Sequence, residues 1–174
     1  VPALKDAGIF FRAVEIEKLG EKQVVQDLYA LTRALTHLAD RIAWLAILRA
    51  PWCGLSLDEL CAFFEGRDKQ TIWELMQDQP RLARMREVLS PALANRMRGT
   101  LRDGVEGVWL ALGGPACVEN ATDLEDAEIF LEELERLEEA GELPDFSALA
   151  SSLEDLYALP DVNAGVDAVE IMTI

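Results

Sequence analysis

Apolar positions recur every three to four residues through most of the chain and every second residue only near its two ends. Residues 9–16 (IFFRAVEI) alternate and carry β-branched and aromatic side chains, which predicts a strand, with Gly8 closing a helical turn before it. Val24, Leu28, Leu31 and Leu35 share one face of a helix over residues 23–37. Asp40 is placed to cap a second helix running through Arg49, with Ile42, Leu45, Ala46 and Leu48 turned inward and Pro51 as its stop. Ser56 with Glu59, and Thr71 with Glu74, have the spacing of capping boxes and predict helices over 57–65 and 71–77. Residues 80–103 read as arginine-rich helix, broken and restarted at Ser90-Pro91. An apolar segment, 104–112, ends at Gly113-Gly114-Pro115. Thr122 or Asp123 then caps a long helix to about Ala140, stopped by Gly141, and Asp145 caps another to about Tyr157. Residues 160–167 form a polar loop, and Val169–Ile174 alternates as a final strand.

The pattern predicts a mainly α fold: a helical insertion with a small β element formed by strands near both termini. The final strand ends without turn, cap or polar tail, and residues 1–8 resemble the last turns of a helix. The expectation is a piece excised from a larger protein.

Composition sharpens this picture at few points. At 174 residues and 51% hydrophobic, the chain can bury one real core. No apolar run approaches the ~18–20 residues of a membrane span, and no signal peptide is visible, so a cytoplasmic location is expected. Cys53, Cys61 and Cys117 show no metal or redox spacing and are expected to be reduced and mostly buried. His37, the single histidine, is expected at a helix C-terminus, where the dipole favours it. The net charge of −16 is divided unevenly. Residues 1–110 hold 15 Lys+Arg against 15 Asp+Glu, whereas residues 111–174 hold Arg136 alone against 17 acidic residues. Such a split allows one end to face nucleic acid while the other repels it.

Three stretches carry a resemblance: residues 8–17 (GIFFRAVEIE); residues 25–60, with VQDLYALTRAL and ADRIAWLAILRAPWCGLSLDEL; and the closing VEIMTI. In this order they resemble UvrD-like superfamily 1 DNA helicases of the RecB/AddA-like branch associated with ATP-dependent exonucleases. The resemblance implies residues 1–20 as the edge of motor domain 2A, residues 21–165 as a helical 2B-like insertion, and residues 166–174 as the strand returning to 2A just before motif V. It further implies a non-catalytic fragment of an enzyme of DNA repair and recombination. ATP and Mg would belong to the parent. The remaining helicase domains would be partners, with a partner subunit as a further candidate, and hinges would lie near residues 17–22 and 160–165.

The chemistry of the motor is not in this sequence. No Gly-rich loop with Lys and Ser/Thr occurs, and in Gly113-Gly114-Pro115 the proline removes an amide donor. Neither a Walker-B carboxylate pair, nor a nuclease carboxylate–lysine cluster, nor a metal-ligand pattern is present, so no catalytic, metal or cofactor residue is expected. The DNA-contact candidates are Arg49, Trp52, Gly54 and Ser56 in one inter-helix turn, with Arg96, Arg98 and Arg102. The turn offers a glycine for close approach, a helix N-terminus for phosphate, and a cation. It reads equally as a tight turn with Trp52 buried and Ser56 as a cap. The arginines of 81–102 read either as a phosphate-tracking face or as partners for the acidic C-terminal helices. Those helices, in turn, read as a solvated face or as a docking surface for a partner subunit. Trp44, Trp73, Trp109 and Cys61 are expected in the core.

Overall fold

The computed structural model describes residues 11–14, 18–67, 69–95, 98–141, 147–156 and 169–172. The fold is mainly helical. Among the described residues a strand β1 (Phe11–Val14) precedes eight helices: α1 (Gln23–Thr36), α2 (Arg41–Arg49), α3 (Leu57–Phe64), α4 (Ile72–Met76), α5 (Ala83–Asn95), α6 (Leu101–Leu112), α7 (Ala121–Ala140) and α8 (Ser147–Asp155). Strand β2 (Val169–Met172) follows and pairs in parallel with β1, Phe11 opposite Val169 and Val14 opposite Met172.

Helix α1 is the centre of the body. Val24, Val25, Leu28, Leu31 and Leu35 are buried along it, and it packs against α2, α6 and α7. The core continues through Trp44, Ile47 and Leu48 of α2, Leu82, Met85 and Leu89 around α5, and Phe130, Leu131, Leu134 and Leu137 of α7. Helix α8 closes the body against α7 and the 3-10 turn Leu19–Glu21, where the Leu19 N–H donates to the Leu156 carbonyl at 2.8 Å.

The capping chemistry explains most boundaries. The Asp40 side chain accepts from the Ala43 N–H at 3.1 Å, and both expected capping boxes form, Ser56 with Glu59 and Thr71 with Glu74. Gly113 and Gly141 end α6 and α7 with φ of +83° and +73°, a left-handed conformation that costs glycine little. His37 is the C-cap of α1.

Several expectations are corrected. Ser90-Pro91 does not break the helix: α5 runs through Pro91. The buried Met85 and Leu89 before it and the partly buried Ala92 and Leu93 after it hold one axis, which offsets the lost hydrogen bond. Residues 104–112 belong to a helix that begins at Leu101, with Thr100 accepting from the Asp103 N–H. The long helix is capped by Asn120, not by Thr122 or Asp123. Asp123 is the third helical residue and returns its carboxylate to the Asn120 N–H. Ile42 is 75% exposed rather than inward. Trp44 sets the phase of α2, and at 100° per residue Ile42 falls on the far side. Cys61 is exposed, because Leu60 and Phe64 take the inward face of α3, and Cys53 and Cys117 are half-buried. Asp145, Tyr157 and the loop 160–167 lie outside the described residues.

Candidate nucleic-acid interface

The turn between α2 and α3 is built by hydrogen bonds rather than by apolar packing alone. The Cys53 and Gly54 N–H groups both donate to the Ala50 carbonyl, at 2.9 and 2.8 Å, and the Leu55 N–H donates to the Leu48 carbonyl at 2.9 Å. Gly54 supplies the φ of +67° that closes the turn. Its missing Cβ would meet only the Pro51 carbonyl, at 3.8 Å, so the outer side of the glycine is open. Leu55 is buried and fixes the turn to the core. The Trp52 indole N–H donates to the Ile47 carbonyl at 3.1 Å, and the ring is half-buried.

Arg49 is exposed beside this turn and makes no ion pair among the described residues. Ser56, by contrast, is committed. Its Oγ accepts from the Glu59 N–H at 3.2 Å, while the Glu59 carboxylate accepts the Ser56 N–H at 2.8 Å. The N-terminus of α3 therefore already holds an anion of its own. The Ser56 N–H, and more weakly Arg81 at 3.5 Å, keep the Glu59 carboxyl below its ordinary range. A phosphate at this helix end would displace or repel Glu59.

The arginine-rich stretch is dispersed. Arg81 alone comes to the turn, pairing with Glu59 and facing Cys53, whose thiol burial pushes up. Arg84 donates to the Leu112 carbonyl at the end of α6, at 3.2 Å. Arg86 donates to the Met76 and Gln79 carbonyls at 2.8 and 2.6 Å, closing the end of α4. Arg102 is 19% exposed and lies between helices α6 and α7, 2.7 Å from Glu135, 2.5 Å from Glu128 and 3.8 Å from Glu106. The Glu138 carboxylate accepts the Leu101 N–H at 2.8 Å, so α7 also caps the start of α6. The acidic helix thus supplies counter-charges within the body. Arg98 is exposed and apart from this cluster, and Arg96 lies outside the described residues. Of the seven DNA-contact candidates, the four of the turn are contiguous, and Arg98 and Arg102 are not joined to them.

Trp44 and Trp109 are buried, and Trp73 is half-buried, its ring 5.7 Å from that of Trp44. Among the described residues three carboxylates are buried, Asp27, Asp126 and Glu133, and the last corrects the expectation that Glu133 lies on a solvated acidic face. Asp27 lies on the apolar face of α1, three residues after Val24 and four before Leu31. Glu133 lies on that of α7 between Phe130 and Leu137, where Arg136 holds its carboxyl below the ordinary range and Ser152 of α8 donates to it. An acidic residue in phase with an apolar stripe is the signal that could have found Asp27 and Glu133.

Among the described residues no group of three or more His, Cys, Asp and Glu side chains is placed to hold a metal ion. No described helix is long and apolar enough to cross a membrane. No protein-family model matches the chain, and no curated protein matches it.

Proposed function

We propose that this chain is a non-catalytic, 2B-like accessory part of an ATP-dependent DNA helicase or exonuclease of repair and recombination, contacting duplex DNA and gating the motor. The observation that carries the reading is the parallel pairing of β1 with β2, with the whole helical body inserted between these two adjacent strands. Parallel strands require a crossover, and here that crossover is a folded helical body with its own core. ATP and Mg are then needed by the parent's motor and not by this part. The surface that suits duplex DNA is the hydrogen-bonded turn of Arg49, Trp52 and Gly54, with Arg81 beside it. Ser56 serves this surface by fixing the start of α3.

Anisotropy of a labelled forked duplex tests the reading. Weak binding is expected at about 50 mM salt, lost by about 200 mM, with a shallow salt slope because few cations are free. Arg49→Ala should remove most of it and Arg98→Ala little. Binding unaffected by Arg49→Ala would reject this surface.

A second reading is supported by the fate of the arginines. Four of them, Arg81, Arg84, Arg86 and Arg102, are used by the protein's own carboxylates and carbonyls. Helix α7 meanwhile presents Glu128, Glu132 and Glu139 outward. That arrangement suits an acidic module that docks a basic partner subunit. Absence of DNA binding at low salt, together with capture of a cationic peptide, would favour it.

A further inference from the structure

We propose that a cleft between the start of α1, the Pro51–Trp52 turn and the 114–123 connection binds an organic cation, a guanidinium or alkylammonium carried on an apolar stem. The cleft has a volume of about 270 Å³ and is lined by Asp27, Pro51, Trp52 and Trp109, with Glu21 and Glu119 among the residues around it. That volume holds roughly nine waters. It is too small for most drug-sized ligands and suits one side chain or a small amine.

Asp27 directs the chemistry. The residue is 8% exposed, and its Oδ1 accepts one hydrogen bond, from the neutral Gln23 at 2.9 Å. Its Oδ2 has no hydrogen-bond partner among the described residues, and the residue lines the cleft. No cation acts on this carboxyl; burial pushes it up and only Gln23 opposes that. A buried carboxylate without a counter-charge is costly, and an entering cation would gain a charge-assisted hydrogen bond there. Two tryptophans lining the same space add the apolar and π surface that a guanidinium or ammonium stem prefers.

Other ligand classes fit less well. Lys22 is the one basic residue among those lining the cleft, so an anion would meet mainly carboxylates. Asp123 Oδ2 already accepts the Glu119 and Asn120 N–H groups, which ties that carboxylate to the cap of α7. A hard divalent cation would need six or more oxygens, which this wall of proline and indole does not provide. The inference is independent of the DNA-contact reading. The two readings share Trp52, which lines this cleft with Pro51, whereas Arg49 is not among the lining residues.

The test is a titration of the intact chain followed by the indole N–H resonances of Trp52 and Trp109. The probes are N-acetyl-arginine methylamide, agmatine, and N-acetyl-citrulline methylamide, the neutral isostere of the first. Saturable shifts of both indoles are expected with the guanidinium probes and none with citrulline. Asp27→Asn should weaken binding by about tenfold or more. Tighter binding of the blocked arginine would identify a partner protein's side chain as the source, and tighter binding of agmatine a free small cation. Equal shifts with citrulline, or unchanged affinity in Asp27→Asn, or no shift with any probe, would overturn the proposal. Should Asp27→Asn fail to fold, arginine against citrulline on the unaltered chain still decides it.

Discussion

Gly114→Ala places a methyl group where the Trp109 ring already is. A Cβ built on Gly114 would stand 1.9 Å from the indole Nε1, 2.1 Å from Cδ1 and 2.6 Å from Cε2. Ordinary van der Waals contact begins near 3.4 Å, so the ring or the backbone must move by more than an ångström. The ring is 5% exposed and rigid, and cannot swing aside as a lysine tip would. Overpacking of a filled core costs about 1–3 kcal/mol, and a clash with an aromatic ring belongs at the upper end. For a chain of this size, about 3 kcal/mol lowers Tm by roughly 6–12 °C. The helix that carries Trp109, α6, holds the control. Gly104 and Gly107 lie inside α6, exposed, and a Cβ on either meets nothing within 4 Å. Gly104→Ala and Gly107→Ala should each stabilise by about 0.5–1 kcal/mol through helix propensity. Urea denaturation read by far-UV and near-UV circular dichroism measures all three. A Gly114→Ala protein within about 0.5 kcal/mol of the parent chain would refute the packing of Trp109 on Gly114.

Three further outcomes follow from the polar contacts. Arg102→Ala should cost about 1 kcal/mol, since its carboxylate partners are exposed enough for solvent to screen them, and the deficit should shrink with added salt; a salt-independent deficit would mean that packing, not charge, carries the effect. Glu133 has a depressed folded pKa, with Arg136 the largest cause and Ser152 adding to it, so its contribution is present above the ordinary glutamate value near 4.3 and is lost as pH falls through the lower folded value. Glu133→Gln should therefore flatten the acid limb of a stability–pH curve, and an unchanged limb would exclude that role. Native alkylation should modify Cys61 first, because Cys53 and Cys117 are half-buried and burial raises the Cys53 thiol; peptide mass mapping that finds Cys53 modified first would contradict the packing around the α2–α3 turn.

Local rules reached the helices whose ends carry their own chemistry. Asp40, Ser56 with Glu59, Thr71 with Glu74, and Gly141 each mark a boundary through a hydrogen bond or a backbone angle that neighbouring residues determine. They failed where tertiary packing overrides a local preference. Pro91 sits inside a helix because the core holds the segments on both sides of it in line. Ile42 faces outward because burial of Trp44 decides the rotation of a nine-residue helix. The candidate site divides the same way. The turn from Arg49 to Ser56 is contiguous in sequence and could be recognised there. The destinations of Arg84, Arg86 and Arg102 are carbonyls and carboxylates as many as 33 residues away, which periodicity does not encode. Asp27 and Glu133 differ from these arginines, because their burial follows from their phase within an apolar stripe, a local signal that the sequence does carry.

The most direct test of the DNA-contact account is a map of amide shift changes as an unlabelled forked duplex is added to the isotope-labelled chain at low salt. The account predicts changes centred on residues 49–56 and Arg81, absent from α7, and abolished by Arg49→Ala. Changes confined to α7 or to the Asp27 cleft, or no changes at all, would contradict it.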